Sequence, residues 1–236
     1  RFVIICICSV AYIIENFIFN MHRYKNPLKK NLLILSGGIE AIEGIKVAKK
    51  MGLRTIVCDG NKNAPGKSYA DEFLIGNIYD PAEIKNVVSK YTKKKSIDGV
   101  ITIASDAVRS VSTVAKQLNL SGNSMKTSIL STDKLKMKKV FQKYSVPIPN
   151  FVGIKSRNEL HKQIEYFSDA VLKPVDSRGS RGVIRINKNS DIDKAFDYSM
   201  NFSPSKKLIL EKWLSGYQLS SESLVISGKT HLCGIE

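Results

Sequence analysis

The sequence predicts an α/β protein made of a parallel-sheet domain followed by an α+β domain, and three observations lead to this prediction. In the first half, apolar runs alternate with stretches of helical periodicity, as at 31–35 and 39–51. In the second half, a loop rich in Gly, Ser and Arg separates two apolar runs within 171–186. The 236 residues, 43% of them hydrophobic, suffice for two modest cores.

The charge balance is strongly basic, since 37 Lys and Arg against 21 Asp and Glu leave a formal net charge of +16. Such a balance is typical of nucleic-acid-binding proteins. The lysines are, however, spread along helices and loops, and no stripe of basic and aromatic residues accompanies them. We therefore expect no nucleic-acid partner.

The cysteines suggest a reducing compartment. Cys6, Cys8, Cys58 and Cys233 form no C-x-x-C pair and have no His partner at metal-ligand spacing. We expect free thiols in the cytoplasm, and no metal site is assigned to the chain.

Residues 1–30 form an apolar and then basic N-terminal extension. The apolar run over 2–19 is about long enough for a membrane anchor, but Glu15 and Asn16 lie inside it, and a charge at membrane depth is costly. A cleaved signal peptide fits poorly, because no small-x-small site precedes the fold. We favour sequence upstream of a true start at Met21, and we expect a membrane contact only if the apolar run is a real anchor.

The first domain is predicted to span 31–122 and to begin with a strand–helix–strand unit. The apolar run Asn31–Leu35 stops at Gly37 and Gly38, helical periodicity follows, and a second strand ends before Asp59. A dinucleotide fold would place G-x-G-x-x-G at the first turn and an acidic residue about 20 residues later. Asp59 suits the second requirement but the glycines fail the first, so an NAD-dependent enzyme is a disfavoured alternative.

Two further strands are predicted at Phe73–Ile75 and Ile97–Ala104, each followed by a helix. In a parallel sheet of this kind, ligands bind at the carboxyl ends of the strands. The residues expected to line a cleft there are Gly37, Gly38, Glu40, Asp59, Ser105 and Asp106. The alternative is that the glycines only permit tight turns and the acids only cap helices.

The second domain is predicted to span 123–236 and to contain a helix over Ser131–Tyr144. Its expected N-cap is Thr132. Its expected apolar face consists of Met137, Val140, Phe141 and Tyr144.

The stretch Val171–Ile186 predicts a strand, a phosphate-binding loop and a second strand. Backbone amides approach an anion closely only where side chains are small, as at Gly179, Ser180 and Gly182. Lys173 supplies a positive charge beside the loop. A surface hairpin with a glycine turn and solvated arginines is the alternative.

Four segments follow one another along the chain: the glycine turn at 36–38, Thr132-Asp133-Lys134, the loop at 177–182, and LILEKWL at 208–214. Together they resemble the ATP-grasp superfamily, and most closely its carbamoyl-phosphate-synthetase-like ligases. The resemblance covers the chain from about Asn31 to its end. It implies a Rossmann-like pre-ATP-grasp domain that helps to bind the acceptor substrate, followed by an incomplete α+β ATP-grasp domain.

The resemblance also implies roles for individual residues in binding ATP. Lys134 and Lys173 would hold the phosphates. The loop that closes over the triphosphate would contain Ser177, Gly179, Ser180, Arg181 and Gly182. The hinge that binds adenine through its backbone would consist of Glu211, Lys212, Trp213 and Leu214. The Trp213 ring could stack or lie in the core, and the core is favoured. Gln218 stands where the family often has a Glu that bonds the ribose, so weaker ribose binding is expected.

The implied activity is that of an ATP-dependent carboxylate–amine or ammonia ligase that works through an acylphosphate. The resemblance places the magnesium ligands beyond Glu236, so a fragment ending there is expected to bind ATP but to be inactive. No enzyme nucleophile is required, and no catalytic residue is assigned. The expected partners are a small-molecule carboxylate and amine in the cytoplasm, and a homodimer is compatible with the sequence. The competing interpretation is a non-catalytic nucleotide-binding module, with or without a membrane tether.

Overall fold

The computed structural model describes residues 4–5, 30–226 and 228–235. The predicted extension over 1–30 thus lies outside the described residues, except at residues 4–5 and 30. The chain divides into two compact units. We call Ile4–Ser128 with Leu219–Glu236 the parallel-sheet unit, and Ile129–Gln218 the antiparallel-sheet unit.

The parallel-sheet unit is built on four parallel strands in the order β4–β3–β2–β5. These are β2 (Asn31–Leu35), β3 (Arg54–Asp59), β4 (Glu72–Ile75) and β5 (Gly99–Ile101). Consecutive residues of β2 are fully buried, as expected for a parallel strand that is covered on both faces. The register pairs Leu33 with both Ile56 and Val100, so the carboxyl ends of three strands lie at one edge.

Helices cover both faces of this sheet. They are α1 (Ile42–Lys50), α2 (Pro81–Tyr91) and α3 (Val108–Gln117), with 3-10 turns at Ile39–Ala41 and Pro65–Tyr69. Ile45 of α1 packs in one core with Ile34, whereas α2 and α3 pack in the other core with Leu33. Next along the chain, α4 (Met125–Thr132) leads out of this unit.

The antiparallel-sheet unit contains four strands in the order β6–β9–β7–β8. These are β6 (Phe151–Ile154), β7 (Ala170–Pro174), β8 (Ile184–Ile186) and β9 (Leu208–Lys212), accompanied by α5 (Lys134–Lys143), α6 (Arg157–Ile164) and α7 (Ile192–Asn201). Leu172 and Leu210 point into a core with α6 and α7. Because side chains alternate along a strand, Lys173 and Glu211 lie on the opposite face.

Helix α5 packs against that opposite face. A Cβ added to Gly153 of β6 would lie 2.8 Å from Leu135, so the helix approaches the strand closely there. The predicted apolar face of this helix is wrong at Tyr144, which lies just beyond α5 and is 71% exposed, whereas Met137, Val140 and Phe141 are half-buried. The buried residue of α5 is Lys138. The predicted N-cap is also wrong, since Thr132 ends α4, and it is the Asp133 carboxylate that accepts the Lys136 N–H at 2.9 Å.

A separate hairpin follows in sequence and completes the described chain. It consists of β10 (Ser220–Ile226) and β11 (Lys229–Ile235), with an irregularity in register after Glu222, and β1 (Ile4–Ile5) pairs with β10 in parallel. No helix within the described ranges is both long enough and apolar enough to cross a lipid bilayer.

Candidate functional site

The loop between β7 and β8 contains a cluster of residues with left-handed backbone conformation. Gly179, Ser180 and Gly182 all lie in the left-handed region, with φ of 59°, 56° and 73°. Left-handed residues in a turn can direct successive amides toward one side and form a concave anion site. Gly182 also has no room for a side chain, because an added Cβ would lie 2.8 Å from Pro174 and from Phe202.

Lys134 lies at the start of this loop. Its backbone N–H donates to the Val175 carbonyl at 2.8 Å, which joins the first turn of α5 to the end of β7. Its ammonium donates to the Ser177 carbonyl at 2.5 Å. The Asp133 cap and these two bonds place the first predicted phosphate lysine beside the loop.

Lys173 belongs to a buried ionic cluster centred on Glu211. The Lys173 ammonium lies 2.9 Å from Glu211 Oε1, and the Lys138 ammonium lies 3.2 Å from Oε2. The Glu211 side chain is 7% exposed and the Lys138 side chain 11%, whereas the Lys173 side chain is 22% exposed. Burial lowers the pKa of Lys138, and the nearby Glu211 carboxylate opposes that shift.

Both lysines hold the Glu211 carboxylate through ionic contacts. Within the part of the chain that is described, Glu211 Oε1 has no hydrogen-bond partner, although the Lys173 ammonium lies 2.9 Å away. The contact between Lys173 and Glu211 is therefore a close ionic one without hydrogen-bond alignment.

The predicted hinge is an exposed segment that leaves the end of β9. The Lys212 N–H donates to the Asn150 carbonyl at 2.9 Å, and the Trp213 N–H donates to the Asp169 carbonyl at 3.0 Å. These two amides are therefore engaged within the unit. Leu214 is 39% exposed and Gln218 is exposed.

The expectation that the Trp213 ring packs in the core is wrong. The ring is 38% exposed, and the Arg185 guanidinium lies 4.4 Å from its centroid. A salt bridge from Arg185 to Asp169, at 2.5 Å, fixes the guanidinium in that position. The indole therefore forms a cation–π pair at the surface within the predicted hinge.

The parallel-sheet unit has a cleft of about 260 Å³ at the carboxyl edge of its strands. Of the predicted cleft residues, Gly38, Glu40, Asp59 and Ser105 line it. Gly37 and Asp106 are not among the lining residues, and their place in the substrate site stays a prediction. Gly37 packs instead against the Asp59 side chain, to which its N–H donates at 2.7 Å.

Several cleft residues were missed by sequence reasoning, including Asn77 and Tyr79 in the segment after β4. The predicted strand at 73–75 was a signal for them, because its carboxyl end lies at the same edge. Lys138 was also missed. Its spacing from Lys134, one helical turn, was the available signal.

No group of His, Cys, Asp or Glu among the described residues could hold a metal ion. The chain carries free thiols at Cys58, which is buried, and at Cys233, which is exposed. Burial raises the pKa of Cys58 to about 12, so this thiol is not a reactive nucleophile.

Comparison with known proteins identifies relatives of this chain. Residues 45–122 match the family described as the ATP-grasp N-terminal domain. Formate-dependent phosphoribosylglycinamide formyltransferase of Prochlorococcus marinus (strain NATL2A) is 26% identical over 215 residues, which cover 88% of this chain and 54% of that protein.

Solved structures agree with the sequence match. Phosphoribosylglycinamide synthetase from Anaerococcus prevotii superposes with a TM-score of 0.62 at 27% identity, over 86% of this chain and 50% of that one. N5-carboxyaminoimidazole synthetase from Staphylococcus aureus, complexed with ADP, gives a TM-score of 0.70 at 19% identity, over 89% and 55%, and shows the fold alone. This chain spans about half the length of each of these relatives.

These findings confirm the resemblance to the ATP-grasp superfamily and the predicted α/β fold class. The narrower likeness to carbamoyl-phosphate-synthetase-like ligases stays a prediction. So do the domain boundary at 122/123 and the roles of the individual site residues.

Proposed function

We propose that this chain is the ATP-binding portion of a cytoplasmic ATP-grasp ligase that joins a carboxylate to an amine or ammonia. The observation that carries this proposal is the arrangement around β7. The Lys134 ammonium contacts Ser177 of the left-handed loop, and Lys173 lies on the strand that leads into that loop. Cations beside a loop of small residues suit a polyphosphate.

In this proposal the residues of the antiparallel-sheet unit have distinct tasks. Lys134 and Lys173 bind phosphate oxygens, and the 177–182 loop contributes amides and excludes water. The 211–214 hinge and Gln218 receive the nucleoside. ATP, when bound, supplies the phosphoryl group that activates the carboxylate as an acylphosphate. Among the hinge amides, those of Lys212 and Trp213 are engaged elsewhere, so adenine would use other backbone groups of the segment.

The cleft of the parallel-sheet unit is proposed to bind the acceptor. Its lining combines the carboxylates of Glu40 and Asp59 with the polar side chains of Ser105, Asn77 and Tyr79, and no Lys or Arg of the described residues belongs to it. Carboxylates and hydroxyls suit the ammonium or hydroxyl groups of a small molecule. The proposed magnesium ions would need ligands other than the described residues, which lack a metal-binding cluster.

Replacement of Lys173 tests the phosphate assignment. Lys173→Ala should weaken ATP binding by about 1–3 kcal/mol, the scale of a charge-assisted contact. Glu211 keeps its Lys138 partner in this variant, so the fold should be preserved. Titration calorimetry of the whole protein with ATP measures the effect.

The matched control is Lys188→Ala, which removes an exposed lysine in the turn after β8 and should leave the ATP affinity unchanged. Unchanged affinity in Lys173→Ala would remove Lys173 from the site. A parallel titration with NAD separates the proposal from an NAD-dependent enzyme. ATP binding without any turnover by the complete protein would favour the non-catalytic module.

A further inference from the structure

One carboxylate in the antiparallel-sheet unit is paired with two lysines that differ in accessibility. Glu211 contacts Lys138 through one oxygen and Lys173 through the other. The Lys138 side chain is half as exposed as that of Lys173, at 11% against 22%. Lys138 lies on α5 and Lys173 on β7, so the two cations approach Glu211 from different elements.

If Lys173 also binds a phosphate, its ammonium is shared between the phosphate and the Glu211 carboxylate, and it cannot contact both equally well. A buried carboxylate that loses its counter-ion is strongly destabilised. With Lys173 as the only cation near Glu211, binding a phosphate would therefore be opposed by the cost of leaving that carboxylate unpaired. The second cation removes this conflict.

We infer that Lys138 is a positioning residue for nucleotide binding: it neutralises Glu211 permanently and so releases Lys173 to the phosphates. The inference rests on the proposed function, whose phosphate lysine it concerns. The difference in exposure supports this division of roles, since the Lys173 side chain is 22% exposed and the Lys138 side chain only 11%. Lys138, buried behind the carboxylate, does not touch the ligand itself.

The test compares ATP with adenosine, which lacks phosphates, in titrations of the whole protein and its variants. Lys138→Met should weaken ATP binding about tenfold or more, because Lys173 then becomes the only counter-ion of Glu211. Adenosine binding should change by less than about twofold, since no phosphate contact is involved. Lys139→Met, which removes the exposed neighbouring lysine of α5, is the matched control and should change neither affinity.

A second variant separates positioning from packing. In Lys138→Met/Glu211→Gln the carboxylate is gone, so Lys173 is free again, and the ATP affinity should recover to within about threefold of that of Glu211→Gln alone, which is the reference because Glu211 belongs to the proposed hinge. Lys138→Arg should keep the wild-type ATP affinity because it retains the cation. Urea denaturation of every variant shows whether it is folded at the temperature of the titration.

The outcomes are distinct. Equal losses of ATP and adenosine binding in Lys138→Met, no loss at all, or no recovery in the double variant would each overturn the inference while leaving ATP binding by Lys173 intact. Failure of the wild-type protein to bind ATP would overturn the proposed function, and the inference with it.

Discussion

Two clusters of ion pairs, one at the start of β4 and one near the end of β9, have similar composition but differ in how far their charged side chains are exposed to solvent. Asp71 contacts Lys49, and Glu72 contacts both Arg54 and Lys95; these cations are 41–44% exposed. Glu211 contacts Lys138 and Lys173, which are only 11% and 22% exposed. The edge cluster is open to water, and the β9 cluster largely excludes it.

The difference shows how two clusters of similar composition can serve different purposes. At the sheet edge, water can replace a missing partner, so each ion pair there contributes little on its own. Around Glu211, the partners depend on one another because little solvent screens their charges. A ligand that takes one cation from the β9 cluster therefore alters the whole cluster, whereas the edge cluster only supports the fold.

The largest expected effect comes from removing the buried carboxylate. Glu211→Ala leaves a buried lysine and a partly buried one without their counter-ion, and it should lower the free energy of unfolding by about 3–5 kcal/mol. Urea denaturation at pH 7 measures the change. Glu211→Leu combined with Lys138→Met should recover most of it, because the buried charges are then removed together. A loss below about 1 kcal/mol in Glu211→Ala would show that the cluster is solvated like the edge cluster.

An intermediate effect is expected at Asp71. Its carboxylate accepts the buried Thr55 N–H at 2.8 Å and the Thr55 hydroxyl at 3.0 Å. Asp71→Ala leaves the N–H unpaired and should lower the free energy of unfolding by about 1–3 kcal/mol at pH 7. Thermal or urea unfolding checks this value.

The pH dependence of the same variant gives a second measure. Burial alone would raise the pKa of Asp71, but the bonds from Thr55 and Lys49 outweigh it and hold that pKa below the ordinary 3.8. A carboxyl with a lowered pKa stabilises the fold fully above its unfolded-state pKa and loses that contribution as the pH falls through the folded-state value. The gap between wild type and Asp71→Ala should therefore shrink below about pH 4. A gap that stays constant in acid would contradict the ionic assignment.

The smallest effect is expected for a single cation of the edge cluster. Lys95→Met removes an ammonium 2.8 Å from Glu72, and Arg54 remains 2.7 Å from the same carboxylate. The free energy of unfolding should fall by at most about 1 kcal/mol, and less in high salt. A salt-independent loss of several kcal/mol would remove the distinction between the two clusters.

Local sequence patterns predicted most of the scaffold. The run at Asn31–Leu35 and the strand that carries Lys173 were recognisable because apolar residues and glycine turns determine such elements over short distances. The start of α5 was missed by three residues, since the predicted helix began at Ser131 and the observed one begins at Lys134. Both Thr132 and Asp133 can cap a helix, and only the three-dimensional course of the chain distinguishes them.

The candidate site was predictable where position in a motif identified it, as with Lys134 and the cleft residue Asp59. Lys138 was not, because a lysine in a lysine-rich helix ordinarily faces water, and its burial arises from Glu211, which is more than seventy residues away in sequence. The exposure of Trp213 was missed for a similar reason. Its partner Arg185 lies in β8, far from Trp213 in sequence, so no local pattern predicts the pair.

Trp213 is the only tryptophan of the chain, and its half-exposed ring lies beneath the Arg185 guanidinium, within the proposed adenine hinge. Indole emission from the protein therefore originates at a single place, where the local polarity changes if a base settles nearby or the arginine shifts. The molecule carries its own optical reporter, and occupancy of the hinge can be followed in real time without attaching a dye.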